Sequence, residues 1–490
     1  MPLNQIIFTT ANTEVINGVP TATFIPLPGV ITYAFNVTGA GGGSGSISLS
    51  KGGNGCTVTA IYTDITSPLT IKLGYGGYIG NGNSSGGGRG IVGTPGAHYG
   101  GNGGDGVTFL KAKNLFAPQI EAALIGGDGG GLTTVLGNNI EIIAGGGGGA
   151  GFASGGDANG ISDVGEFFGN GRGGVKNNTL PAFINGGLGG GLSGGKDGAG
   201  YSGAGGHGGA VYINSPGGGG GGGGASGTGG TGGGALNVAS NVINRAGTGG
   251  SYNSMNGGGA GGAGLGGGGG GSGYGGGGGG GILGGSGGGG SSAALGTNRV
   301  GNPFYSNRLR EGVVVEAGVE VNTGVDIKAG VGGVGGIAAY NAGAITAVGA
   351  DGRVKIVYNT FSYPSQTYQI KVGEAVIPIT PTAIFGAGIQ ADNTYIDGVI
   401  TAITVVDTPA NYSYTIEPTL PAGLSIDDRT GTIAGTPRTA VINQTYTIRL
   451  IDNIYNVTWA SVAISLTITE EEKRVTAGSM SLGTAAVFIR

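Results

Sequence analysis

One cysteine (Cys56), two histidines (His98 and His207), one tryptophan and three methionines are all that 490 residues offer of several side chains that commonly carry chemistry. A single cysteine excludes an internal disulfide framework and a zinc ribbon. Two histidines leave little for metal ligation or proton transfer. Asp, Glu, Lys and Arg make up only 10% of the chain and leave a net charge of −4. The few Lys and Arg are scattered, which leaves no basic face for nucleic acid. No apolar stretch approaches the roughly 18 residues of a membrane span, so no membrane insertion is expected. Residues 1–15 lack the positive n-region and sustained apolar run of a secretory signal.

What is abundant is glycine, 125 residues of it, with only 17 prolines. There is no Gly-X-Y period, which excludes collagen. Disordered chains combine low hydrophobicity with high charge, whereas this one is 38% hydrophobic with a mean hydropathy of +0.15. The glycine therefore either links ordered parts or is itself held in order.

Three zones follow along the chain. In the first, to about residue 77, segments 21–28, 30–38, 56–62 and 69–73 alternate apolar and polar residues and predict short antiparallel strands. The second, about 39–350, is broken by glycine runs at 145–149, 217–224, 266–271, 275–281 and 287–290. Its best helix candidate, 111–125, is weak. Between residues 201 and 300 there are 49 glycines and two charged residues, Arg245 and Arg299. Gly/Ser-rich tracts usually form flexible linkers, but linkers do not run for a hundred residues studded with Val211-Tyr212-Ile213, Leu265, Tyr274 and Ile282-Leu283. The other reading is an ordered lattice. A polyproline-II helix has three residues per turn and no internal hydrogen bonds. Built from glycine alone, such helices approach closely enough to bond N–H to C=O across the gap. The zone closes on a strand at 352–358 that needs partners from the first zone.

These residues also carry a resemblance. Thr23-Phe24, Pro28-Gly29-Val30, 35–42, 69–77, Ile142-Ile143-Ala144 before the 145–149 run, and 349–356 resemble the framing motifs of glycine-rich domains in phage and large-virus proteins. The match covers about residues 20–358. It implies a β-sandwich frame carrying polyglycine-II helices, as in phage tail-fibre tip adhesins, whose exposed loops bind host receptors.

The third zone, 367–469, returns to ordinary composition and predicts about seven strands of a sandwich. Segments 420–427, 430–437 and 446–452 resemble the putative-Ig, cadherin-like modules of surface proteins. Gly431 is expected at positive φ in a turn. The expected class is thus all-β. Residues 1–358 form a glycine-rich domain with its strand frame at 1–77 and 352–358, 359–366 a linker, 367–469 an Ig-like sandwich, and 470–490 a tail or one more strand.

Candidate chemistry is thin. GxGxxG matches recur, but a dinucleotide site needs strand, glycine turn and helix, and no amphipathic helix follows. Arg89 alone is not an RGG tract. His207, in Gly-Gly-His-Gly-Gly, reads as a loop histidine, and Cys56 as a half-buried structural thiol beside Val58 and Ala60. The acidic turns Asp427-Asp428 and Asp452 are calcium candidates that the resemblance does not require. Glycoside hydrolysis needs two carboxylates about 5–10 Å apart, and none stand at a suggestive spacing. No catalytic residue, metal ligand or cofactor is assigned.

The better functional candidates are bulky residues interrupting the glycine: Tyr252 with Met255, then Phe304 and Tyr305, then Phe167 and Phe168. Aromatics and Met are enriched at binding hot spots, although plugging the edges of the lattice or packing on the sheet is the more ordinary role for such residues. The expected function is non-enzymatic. The chain reads as a virion-surface fibre, spike or tip adhesin whose partners are other virion proteins and a host receptor, protein or glycan. Tail-fibre relatives are oligomeric, often trimeric. The rivals are a minor capsid or decoration protein, a glycan depolymerase and a cellular surface adhesin.

Overall fold

The computed structural model describes residues 4–44, 52–77, 129–137, 139–150, 158, 168–169, 290, 292–306, 313–316, 319–322, 348–385, 394–396, 399–401 and 411–470. All regular elements among them are strands. The helix candidate 111–125, both histidines and the tail from 471 lie outside the described residues. The chain divides into two units. The first is Met1–Thr360 with Ile384–Asn411 and Asp452–Ala460, and the second is Phe361–Ala383, Tyr412–Ile451 and Ser461–Arg490.

Among the described residues the first unit holds two large sheets and two two-stranded ones, Val313–Glu316 with Val319–Asn322 and Thr394–Ile396 with Val399–Thr401. One large sheet runs, in spatial order, Gln5–Phe8, Arg353–Tyr358, Tyr33–Thr38, Thr57–Tyr62 and Arg299–Ser306. The other large sheet runs Glu14–Ile16, Val19–Phe24, Leu69–Lys72, Thr133–Gly137, Ile140–Ala144, Ser292–Leu295 and Phe168–Gly169. Period-2 alternation sends Tyr33, Phe35 and Val37 inward with Val58, Ala60 and Tyr62, to meet Leu69, Ile71, Val135, Ile142 and Ala294 in one buried cluster. Phe35 and Tyr62 pack edge to face, as do Phe24 and Tyr33.

The strand at 353–358 pairs on one side with Tyr33–Thr38 and on the other with Gln5–Phe8. It closes the first sheet with partners from the start of the chain. The frame is larger than the expected 1–77 and 352–358, because 133–144 and 292–306 also supply strands. Cys56 is fully buried rather than half-buried. It shares the core face with Val58, and its amide donates to the Gly145 carbonyl at 2.9 Å.

In the second unit one sheet runs Thr367–Lys371, Val457–Thr469, Val441–Asp452, Tyr412–Glu417, and another runs Val376–Ile379, Ile433–Gly435, Leu424–Ile426. The first pair of the larger sheet is parallel and both pairs of the smaller one are antiparallel. Tyr446, Ile448 and Leu450, with Ile464, Leu466 and Ile468, are buried at alternate positions. Segment 359–366 does more than connect. It contains the strand Thr360–Ser362, and Phe361 and Tyr363 are buried. Phe361 packs edge to face on Tyr363 and Tyr414. The Tyr363 hydroxyl donates to the Gly431 carbonyl at 2.6 Å, and Gly431 takes the expected positive φ, 68°.

Candidate functional site

Both large sheets of the first unit end together. The register sets Thr38 beside Thr57 and Arg353, Lys72 beside Thr134, and Thr133 beside Ala144. Beyond these residues the chain continues as 39–44, 52–55, 74–77, 129–131, 145–150 and 348–352, all rich in glycine. None of these segments is a strand, yet their amides are paired. Gly39 donates to Cys56, Ala40 to Gly131, Gly41 to Ala350 and Gly42 to Gly53, each at 2.9 Å. The donor direction thus visits three neighbouring segments and returns to the first after three residues. Acceptors repeat the step: Gly147 donates to Ala40 and Ala150 to Gly43, while Gly53 donates to Gly148 and Cys56 to Gly145. A sheet strand can bond only to its left and right. The 39–44 segment bonds to five others.

Such packing leaves no room for side chains. A Cβ on Gly42 would collide with the Gly148 carbonyl, one on Gly52 with Gly42, one on Gly146 with Gly130, and one on Gly147 with Gly53. Glycine is required here by close approach of backbone to backbone, not by turn geometry.

Hydroxyls mark the join between the apolar core and this glycine end. Thr38, Thr133, Thr134 and Ser292 are fully buried. The Thr133 Oγ1 accepts from the Gly74 amide at 3.1 Å, Ser292 Oγ accepts from Gly145 at 3.0 Å, and Thr38 and Thr57 bond each other at 3.0 Å. The Asp351 carboxylate accepts from the Gly76 amide at 2.8 Å and from the Thr10 hydroxyl at 2.9 Å. Where ladder bonds stop, Thr133, Ser292 and Asp351 take up amides that burial would otherwise leave costly.

The residues singled out in the sequence fall in different places. Tyr252, Met255 and Phe167 lie outside the described residues. Phe304 and Tyr305 lie on the edge strand Arg299–Ser306, in register with Thr59 and Val58. Phe168 pairs with Ala293 at the other sheet's edge. The backbone therefore places Phe304, Tyr305 and Phe168 on edge strands rather than in loops between glycine runs.

The calcium candidates have local duties. The Asp427 carboxylate accepts from the Arg429 and Thr430 amides at 2.9 and 2.8 Å, and those bonds hold its pKa below the ordinary value. Asp452 accepts from the Ile454 and Tyr455 amides and, at 3.1 Å, from the Trp459 indole. Among the described residues no group of three or more His, Cys, Asp or Glu is placed to hold a metal ion. Among them, too, no helix is long and apolar enough to cross a membrane.

Burial shifts several groups upward. It weakens the Glu141 acid and pushes the Tyr33 phenol up to about 12, against the opposing hydrogen bond from the Leu27 amide. Tyr62 and Tyr363 move in the same direction, also mainly through burial. A phenol whose pKa is raised on folding favours the native state below its unfolded value near 10, and loses that contribution as pH rises through the folded value. Urea midpoints measured from pH 8 to 12 should be flat to about pH 10 and then fall. Tyr33→Phe should flatten part of that fall.

The second unit's ring stack, its alternating buried strands and the Gly431 turn coincide with a known family. The family described as "Putative Ig domain" matches residues 363–469. These residues are an Ig-like domain. The strand Thr367–Lys371 and the Leu424–Ile426 and Ile433–Gly435 pair lie inside it. No curated protein matches the chain.

Several features of this region were not evident from the sequence: the buried hydroxyls of Thr133 and Ser292, the Asp351 clamp, and a polar recess at the opposite end of the sandwich. Thr133 and Ser292 sit at the first residue of strands entered from glycine. That position is the signal that could have found them.

Proposed function

We propose that the chain is a non-enzymatic structural protein of a phage or virus particle, a fibre, spike or tip adhesin that attaches the particle to its host. The observation that carries this reading is the three-residue return of backbone donors at the glycine end. It matches the three residues per turn of polyglycine-II helices and supports a lattice of them grown from the sandwich, which the runs between 201 and 290 would extend. Such a lattice has almost no side chains for a protease to grip and little freedom to bend. It is a stiff mount. An Ig-like domain, of the kind resembling surface-protein modules, would space or dock that mount, and residues interrupting the glycine would meet the host. The expected partners are other virion proteins and a host receptor, with the chain oligomeric on the particle surface.

Mass spectrometry of purified particles tests the location, and adsorption of particles carrying Tyr252→Ala or Phe304→Ala tests the role. Intact particles with adsorption reduced about tenfold or more, the order expected for a hot-spot residue, support attachment. Failure to assemble indicates a capsid or decoration role instead. Release of oligosaccharide from host glycan would replace the reading with a depolymerase.

A further inference from the structure

The end of the sandwich opposite the glycine carries a recess of about 190 Å³ where three connections meet, lined by 64–67 from the first, Asn139 from the second and Asn298 from the third. Its described polar lining includes Asp64, Thr66, Asn139 and Asn298, and buried Ile65 and Ile140 supply apolar wall. We infer that this recess is a binding site for one sugar residue of a neutral glycan.

The chemistry narrows the ligand by elimination. Among the described lining residues there is one carboxylate and neither Lys nor Arg, so a phosphate, sulfate or sialic acid would meet repulsion without a counter-charge. A hard divalent cation takes six or more oxygens, usually from several carboxylates, and the single Asp64 does not supply them. The volume holds about six waters, below the few hundred Å³ of a drug-sized pocket. What remains is a small polyhydroxylated molecule. A carboxylate and two amides can take the hydroxyls of a neighbouring pair.

The recess is also pre-formed. Asp64 and Asn139 both adopt left-handed backbone, with φ 53° and 68°, a conformation that Asp and Asn tolerate better than most residues. The Thr63 amide donates to the Asn298 carbonyl at 2.9 Å, tying the first connection to the third. The Thr297 hydroxyl donates to Asn298 Oδ1 at 3.1 Å. Gly296, at φ 132°, lies so close to the Asn139 carbonyl that a Cβ there would collide with it, which packs the third connection on the second. Rigid placement on strand ends lowers the ordering cost of binding.

The assignment rests on the attachment reading for its biological sense, but it is tested separately. Full-length protein is titrated with neutral methyl glycosides of glucose, galactose, mannose and N-acetylglucosamine, and with sialic acid, using saturation-transfer NMR. Asp64→Asn and Asn139→Gly both suit the left-handed backbone, and thermal unfolding confirms that they fold. Saturation transfer to at least one neutral glycoside, with affinity lowered about tenfold or more in either variant, is the expected result. Binding to none of them, binding unchanged in both variants, or preference for sialic acid overturns the assignment. Particle adsorption that survives such a result leaves the attachment reading standing and places the contact elsewhere. Loss of both removes the two together.

Discussion

Gly147→Ala should strongly destabilise the first unit. The Gly147 amide donates to Ala40 at 2.9 Å, its carbonyl accepts from Gly130 at 2.7 Å, and the new Cβ would land on the Gly53 carbonyl. Overpacking of this kind costs about 1–3 kcal/mol, and two displaced hydrogen bonds add about 1 kcal/mol each. The expected loss is about 3–5 kcal/mol, against a total stability of roughly 5–15 kcal/mol for a folded domain. No side chain can rotate away to relieve it, because the obstacle is backbone. The comparison variant is Gly373→Asn, at φ 82° with nothing within 4 Å of its Cβ position, which should change stability by no more than about 0.5 kcal/mol. Denaturant melts of both decide the matter. An alanine tolerated at 147 would mean that the segments do not pack as described.

The second large effect is on amide exchange. Gly39, Gly41, Gly42, Gly53, Gly130, Gly131 and Gly147 all donate to backbone carbonyls and are buried. If they open only with the unit as a whole, their exchange should be slowed by about three orders of magnitude or more relative to an unstructured peptide. A flexible glycine linker would exchange at the unstructured rate. Extending the measurement to 201–290 tests whether the same order continues there, since the proposed lattice requires protection in those runs as well. Rapid exchange across both regions would remove the stiff mount and with it the attachment reading.

Strands that bury large alternating side chains were readable from the sequence. Tyr33-Phe35-Val37, Val58-Ala60-Tyr62 and Val354-Ile356 announce themselves because each inward position is apolar. The start of a strand was less reliable. Segment 30–38 yields a strand only from Tyr33, and 21–28 shifts to 19–24, since Pro26, Pro28 and Gly29 break the ladder before the alternation ends. The strands Thr133–Gly137, Ser292–Leu295 and Arg299–Ser306 were hidden. Thr133, Thr134 and Ser292 are buried polar residues where the pattern expects apolar ones, and Ala293-Ala294 are too small to stand out from glycine. The turn at Gly431 was legible because its neighbours fix its geometry locally. The recess was not, because Asp64, Asn139 and Asn298 are far apart in sequence and only pairing of the two sheets' ends brings them together.

A backbone whose donors face the same neighbour every third residue also constrains how its length can change. Adding or deleting three residues in such a segment restores every amide to its former direction and merely shifts the segment's far end by one turn. Adding one or two rotates all later donors by a third or two thirds of a circle, toward segments whose acceptors are already taken. Insertions and deletions in this part of the gene should therefore survive in multiples of nine nucleotides, a rule set by helical symmetry rather than by the reading frame alone.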